Sequence, residues 1–199
     1  MQTLAMLRNT MPDRIIGRDQ VFAVFVYSPR TAVTESLAQL VAGVLLVALA
    51  DGRLQLSARG RACIGGLYDC MSSIVDGLWS GHRGLVTTLA PLAERTVAAA
   101  AATGGAASAV MAPPYQPDGA SLAMLLAERL TPMRFHRFDA HAAAWQAAGL
   151  TAEQVQALES GPEREAIEAE TNRRDGAPYA LLTPPERITL LSGLGALPN

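Results

Sequence analysis

Ala50-Asp51-Gly52-Arg53-Leu54-Gln55-Leu56-Ser57-Ala58-Arg59-Gly60-Arg61-Ala62 is the stretch whose reading decides the fold. Asp51-Gly52 forces a turn, because Gly reaches backbone angles that other residues avoid and Asp bonds to nearby backbone. Arg53-Leu54-Gln55-Leu56 alternates polar and apolar like a short strand, and Ser57 is placed to cap a following helix. Before the turn, the pattern from Thr31 to Ala50 is helical, with Thr31 or Thr34 as N-cap. After it, a long helix runs from Ala58 to about His82. Gly65-Gly66 weakens that helix by about 1 kcal/mol per Gly relative to Ala, which predicts a kink or a close helix crossing.

Composition points the same way. Half of the 199 residues are apolar but only 5% are aromatic, and many are Ala or Leu, which lose little side-chain freedom in a helix. The expected class is mainly α. The chain has no Lys, so all sixteen positive charges are Arg, set against eighteen Asp and Glu. A slightly negative total is not the footprint of a protein held chiefly by nucleic-acid phosphates. Cys63 and Cys70 lie roughly 10 Å apart along one helix, too far for a disulfide, and read as reduced core thiols of a cytoplasmic protein. The start, Met1 to Arg8, lacks the basic and apolar regions of a signal peptide. The apolar run from Leu40 to Ala50 is well short of the roughly 20 residues of a membrane span.

Elsewhere, Val21-Phe22-Ala23-Val24-Phe25-Val26-Tyr27 reads as a short strand or a buried helix end. A second long helix spans roughly 84–102. The prolines in Met111 to Gly119 demand an extended loop. Ser121 caps a helix to about Leu130, and Pro132 restarts the chain as the first turn of another helix ending at Gly149. Thr151, Gly161 and Thr183 open three more.

Ionisable groups concentrate in Arg134-Phe135-His136-Arg137-Phe138-Asp139-Ala140-His141, which runs into Ala142-Ala143-Ala144-Trp145. Burying such groups is costly unless each is paired, so something polar is expected to gather there. His136 and Asp139 share one helix face; Arg137 and His141 share another, with Trp145 one turn on. The two histidines stand about 140° apart around the axis, which does not aim both at one metal ion. Three readings stay open: interhelix ion pairs with residues such as Glu128 or Glu168, a ligand pocket, or a divalent metal (Zn or non-haem Fe) on His82, His136 and Asp139. In a catalytic pocket His136, Asp139 and His141 would do acid–base work, while Arg134, Arg137, Tyr115 and Trp145 would bind the ligand. Tyr115 and Tyr179 follow prolines, and either lines a pocket mouth or anchors a loop. Asn172-Arg173-Arg174 suits the C-terminal dipole of an acid-rich helix.

The order helix, Asp-Gly turn, strand and Ser-capped helix over about residues 15–80 resembles the wing of MarR-like winged-helix proteins. Over the whole chain, with Ala112-Pro113-Pro114-Tyr115, the 134–151 stretch, Ile167-Glu168-Ala169-Glu170-Thr171-Asn172-Arg173-Arg174 and Glu186 to Leu191, it resembles an actinobacterial family of helical proteins labelled by that domain. A fainter similarity is to DinB-like helical bundles, whose metal sits on three histidines. What the first resemblance implies is a cytoplasmic actinobacterial protein with a winged-helix-like N-terminal domain (1–82) whose long helix dimerises. A helical domain (83–199) would follow, carrying the site. The segment in the place of a recognition helix offers Glu35, Ser36 and Gln39 and no positive charge, whereas base reading in the major groove relies on polar and cationic side chains. Arg53, Arg59 and Arg61 would touch only phosphates. The expected function is therefore small-molecule binding or catalysis in specialised metabolism, the winged helix being scaffold; DNA-binding regulation is the second reading.

Overall fold

The computed structural model describes residues 2–198; Met1 and Asn199, at the outer ends of the two expected segments, lie outside the described residues. The protein is mainly α. In chain order the elements are α1 (Gln2–Leu7), α2 (Arg18–Val24), α3 (Arg30–Ala42), β1 (Leu46–Ala48), β2 (Leu54–Leu56), α4 (Ala58–Leu78), a 3₁₀ turn (Ser80–His82), α5 (Arg83–Thr103), α6 (Ala106–Met111), α7 (Leu122–Ala147), α8 (Ala152–Ala157), α9 (Pro162–Asp175), a second 3₁₀ turn (Ala177–Leu181) and α10 (Pro184–Ala196).

The Asp51-Gly52 turn forms as its residues demand. Gly52 takes φ 80°, and Asp51 accepts hydrogen bonds from the backbone N–H of Arg53 at 3.0 Å and its Nε at 2.7 Å. The hairpin it closes is antiparallel, with Leu46 opposite Leu56 and Ala48 opposite Leu54, and Ile16 adds a bridge to Leu54. The helix expected over 31–50 therefore ends at Ala42, because Leu46 to Ala48 find strand partners that a helix would deny them. Ser57 caps α4 by accepting from Gly60 N at 2.9 Å. α4 runs unbroken through Gly65-Gly66, and among the described residues nothing lies within 4 Å of where their Cβ atoms would stand, so none of the described helices crosses there. Of the 21–27 run, Val21 to Val24 form the end of a helix, α2, and Phe25 to Tyr27 turn away after it.

α7 departs most from expectation. Two helices meeting at Pro132 are predicted, yet one helix of 26 residues passes through that proline. Pro132 has no N–H for the carbonyl of Glu128, a loss of about 3 kcal/mol. Burial outweighs it, at about 1.5–3 kcal/mol for each large apolar side chain. Met124 and Phe135 enter a first core with Leu4, Leu7, Leu37 and Leu54; Leu126 and Met133 enter a second with Leu89 and Leu190; Trp145 joins Val155 and Ile167 in a third. A helix that feeds every core is apolar on several faces, which hides its period. The boundary expected at residue 82 does not separate these cores, since the first draws on both sides of it.

The deepest polar cluster also bridges that boundary. Glu128 is 1% exposed. Its carboxylate accepts from Arg8 NH2 at 3.0 Å and from the Asn9 side-chain amide, and the Tyr68 hydroxyl stands 3.3 Å away. Burial pushes its carboxyl above the usual range, against the pull of Arg8. No helix among the described residues is long and apolar enough to cross a membrane.

Removing one side of a buried ion pair leaves the other charge uncompensated, at a cost of about 3–5 kcal/mol. Glu128→Ala is accordingly expected to lower the urea unfolding free energy by about that amount through stranded Arg8, Asn9 and Tyr68. A loss under about 1 kcal/mol would mean that the cluster is solvated or replaceable.

Candidate functional site

The 3.6-residue period of α7 sends its ionisable side chains to different neighbours. His136 is buried and faces α5 and α9, whereas His141 faces the segment after α2. The polar residues expected to form one pocket are thus divided between two clefts.

The first cleft, about 450 Å³, lies where α5 ends, beside α7 and the end of α9; Thr103, Gly105, His136, Ala140 and Arg174 are in its wall. At its base His136 Nδ1 stands 2.9 Å from Asp175 Oδ1, and Nε2 stands 3.0 Å from Thr103 Oγ1. A carboxylate only accepts, so Nδ1 carries the proton. In the neutral ring Nε2 is then an acceptor, and Thr103 donates to it. The other acceptor within reach of that hydroxyl is the Ala99 carbonyl, at 3.4 Å. Asp175 is steadied from its far side by Arg137 NH1 at 3.4 Å.

Asp139, in the same wall, has a different task. Its oxygens accept from the backbone N–H groups of Ala107 at 3.1 Å and Ser108 at 2.7 Å, capping α6 from another helix. That approach requires glycine at 105, where a Cβ would lie 2.9 Å from Asp139 Cγ. With both oxygens engaged, Asp139 is a strut that sets the turn after Thr103. Arg173 and Arg174 reach Glu170 at 2.6 to 2.7 Å, and these hydrogen bonds, Arg173 first, hold its carboxyl down to about 2. One carboxylate between two guanidiniums leaves a net positive charge, and among the described residues the terminal nitrogens of Arg174 make no hydrogen bond.

The second cleft, about 240 Å³, is lined by Arg134, Arg137, Phe138, His141, Glu168 and Thr171. Arg137 crosses to α9, donating to Asn172 Oδ1 at 2.9 Å and Glu168 Oε2 at 3.1 Å, which is the interhelix pairing that one sequence reading allowed for. Trp145 Nε1 donates to Tyr27 Oη at 3.0 Å, leaving the Tyr27 proton for His141 Nδ1 at 2.6 Å. His141 is therefore neutral with its proton on Nε2, facing Glu168 at 3.9 Å, and burial lowers its pKa from the ordinary value. Trp145 is buried beneath this cluster and supports it through Tyr27. Arg134 is the exposed cation at the mouth.

Two expectations are corrected outright. His82 is exposed in the turn between α4 and α5, and among the described residues no three His, Cys, Asp or Glu are placed to hold a metal ion, so the set His82, His136 and Asp139 is not a metal site. His136 and Asp139 are already committed, the first to Thr103 and Asp175 and the second to backbone N–H groups. Tyr115 lines neither cleft; its ring packs on Tyr68 with centroids 5.3 Å apart, and its backbone N–H donates to the Asn9 carbonyl at 2.7 Å. Conversely, Thr103, Asp175, Arg174 and Tyr27 are missing from the expected site. Thr103 reads as the end of a helix and Arg174 as a dipole complement, and no local signal links positions 33 and 39 residues from His136. No known protein family, curated protein or solved structure matches this chain.

The depressed pKa of His141 carries a pH dependence. The folded state prefers the neutral ring, so this contribution is present above the unfolded value of about 6.5 and is lost as pH falls through the lower folded value. Melting temperatures are expected to fall on acidification through this window, and to fall less in His141→Gln. Identical pH profiles for the two proteins would sever the ring from stability.

Proposed function

We propose that this protein binds, and acts on, a small carboxylate-bearing molecule of specialised metabolism in the cleft at the end of α5. The observation that carries the reading is the juxtaposition of the Asp175–His136–Thr103 chain with the unengaged guanidinium nitrogens of Arg174 in one wall of about 450 Å³. The wall also carries Asp139 and Arg173 beside Ala140 and Ala143, so the concavity is polar and suits a charged ligand better than an apolar one. Guanidinium matches carboxylate geometry, and the nearby carboxylates of Glu170 and Asp175 are each paired with guanidinium groups, which offsets their repulsion of an anionic ligand. His136, 3% exposed, reaches such a ligand through the Thr103 hydroxyl and not directly.

The N-terminal elements fit a scaffolding role. The order α1, the Ile16 bridge, α2, α3, the hairpin and α4 supports a winged-helix reading, in which α3 would stand in the place of the recognition helix. Its cation, Arg30, sits 4.2 Å over the Phe22 ring and 3.7 Å from Asp19, and its other exposed side chains include Glu35 and Gln39. That surface offers little to phosphates or guanine edges, so DNA-binding regulation ranks second. Cys63 and Cys70 are free, in keeping with a cytoplasmic setting.

Calorimetric titration with benzoate and hexanoate tests the main reading. Binding is expected for at least one, weakened about tenfold or more in Arg174→Ala, as loss of a charge-assisted hydrogen bond implies. If Arg134→Ala weakens binding and Arg174→Ala does not, the ligand occupies the second cleft and the reading is wrong.

The proposed partner is a second copy. On α4, Ala62, Gly66, Cys70, Ile74 and Leu78 recur every four residues and all are exposed, with Ile74 at 60% and Leu78 at 40%. Small residues allow close helix approach and the apolar ones gain by burial, as at a symmetric interface. Light scattering at micromolar concentration should give the mass of a dimer, and a short bis-maleimide should couple Cys70 to Cys70 in Cys63→Ser protein. A monomer mass removes the idea.

A further inference from the structure

We propose that Thr103 is a nucleophile that accepts an acyl group from an ester or thioester, with His136 as its base and Asp175 as the residue that positions the base. This rests on the cleft at the end of α5 being the functional site, and adds the reaction class to it. The parts are a nucleophile, a base and a group that orients the base: a hydroxyl on the cleft wall, an imidazole nitrogen 3.0 Å from it, and a partly buried carboxylate 2.9 Å from the other nitrogen. They come from three separate helices, α5, α7 and α9, so no local motif announces them.

The roles follow from what each group touches. Thr103 closes α5, and its side chain is exposed while His136 is buried, so an incoming carbonyl meets the hydroxyl before the ring. Gly104 and Gly105 follow immediately where a side chain would crowd its neighbours, since a Cβ would lie against Ser108 Oγ and 2.9 Å from the Ala100 carbonyl oxygen at the first and 2.9 Å from Asp139 Cγ at the second. The chain turns sharply away after the hydroxyl and leaves its outer face open. Arg137, bonded to Asp175, completes the support from α7.

The step balances without any added cofactor. Thr103 Oγ forms a bond to the carbonyl carbon as its proton passes to His136 Nε2, and the resulting imidazolium is stabilised by Asp175 on Nδ1. The tetrahedral intermediate collapses by breaking the bond to the leaving alkoxide or thiolate, which takes the proton from Nε2. Water, deprotonated by the same nitrogen, then attacks the threonyl ester and releases a carboxylic acid, regenerating the hydroxyl. The carboxylate so formed is the chemistry that Arg174 fits.

The test uses the full-length protein with p-nitrophenyl butyrate. Release of p-nitrophenolate and an acid-quenched butyryl adduct that peptide mapping places on Thr103 are the expected results. Both should vanish in Thr103→Ala and return in Thr103→Ser. Asp175→Asn, which favours the wrong tautomer, should slow release by about 10²-fold or more and alter its dependence on pH. Melting curves with hexanoate run alongside. Stabilisation by hexanoate without any Thr103-dependent release or adduct overturns the nucleophile and leaves the cleft as a binding site. Neither stabilisation nor adduct overturns both. An adduct confined to another residue also overturns the assignment.

Discussion

The carboxylate of Glu128 is the constraint on which the arrangement depends. A charge this deep is tolerated only because Arg8, Asn9 and Tyr68 converge on it, one pair from the segment after α1 and the third from α4. Satisfying it pins α7 against the N-terminal elements. Four residues on, Pro132 deprives the Glu128 carbonyl of its helical partner, so the polar cluster and the break in the hydrogen-bond ladder fall at one place. With that point fixed, the halves of α7 extend into different cores and bring Phe135, His136 and Trp145 to separate neighbours.

That separation organises the chemistry. His136 and His141 come from the same eight residues, yet one is enclosed with two hydrogen-bond partners and the other is neutral against Tyr27. Asp139, one helical turn from His136, carries no free oxygen because it caps α6. Side chains that look alike as candidates therefore divide into those that hold helices together and one that communicates with an open surface. The division follows from partners and burial, not residue type, since a group whose hydrogen bonds are all made within the fold has little left for a ligand.

The cleft draws its character from helix ends. α5 stops at Thr103, α9 stops at Asp175, and the side chains of these last residues meet on either side of a ring supplied by the middle of α7. Rigid elements hold the chain of hydrogen bonds, which favours fixed geometry over adaptable contact. Arg174, in the last turn of α9, sits favourably with the helix dipole while keeping donors for the cleft.

Much of the local structure was legible in the residues themselves. The Asp51-Gly52 turn, the Ser57, Ser121 and Thr183 caps and the α4, α5, α9 and α10 helices follow from chemistry confined to a few neighbours. Period and capping failed where tertiary packing overrode them: α3 gave way to a strand because Leu46 and Ala48 had partners across the hairpin, and α7 ran through Pro132 because burial on both sides outweighed one lost bond. Of the candidate site, the stretch 134–145 named His136 and the polar face toward α9, but it also named Asp139, and the residues joined to it from elsewhere in the chain, His82 and Tyr115, do not meet it. Thr103 and Asp175 were invisible because hydrogen bonds between distant positions leave no trace in spacing or composition. Sequence alone determined where this chain turns, caps and gathers charge; only the packing of α5, α7 and α9 decided which of those charges face one another, because side-chain partnership depends on distance in space and not along the chain.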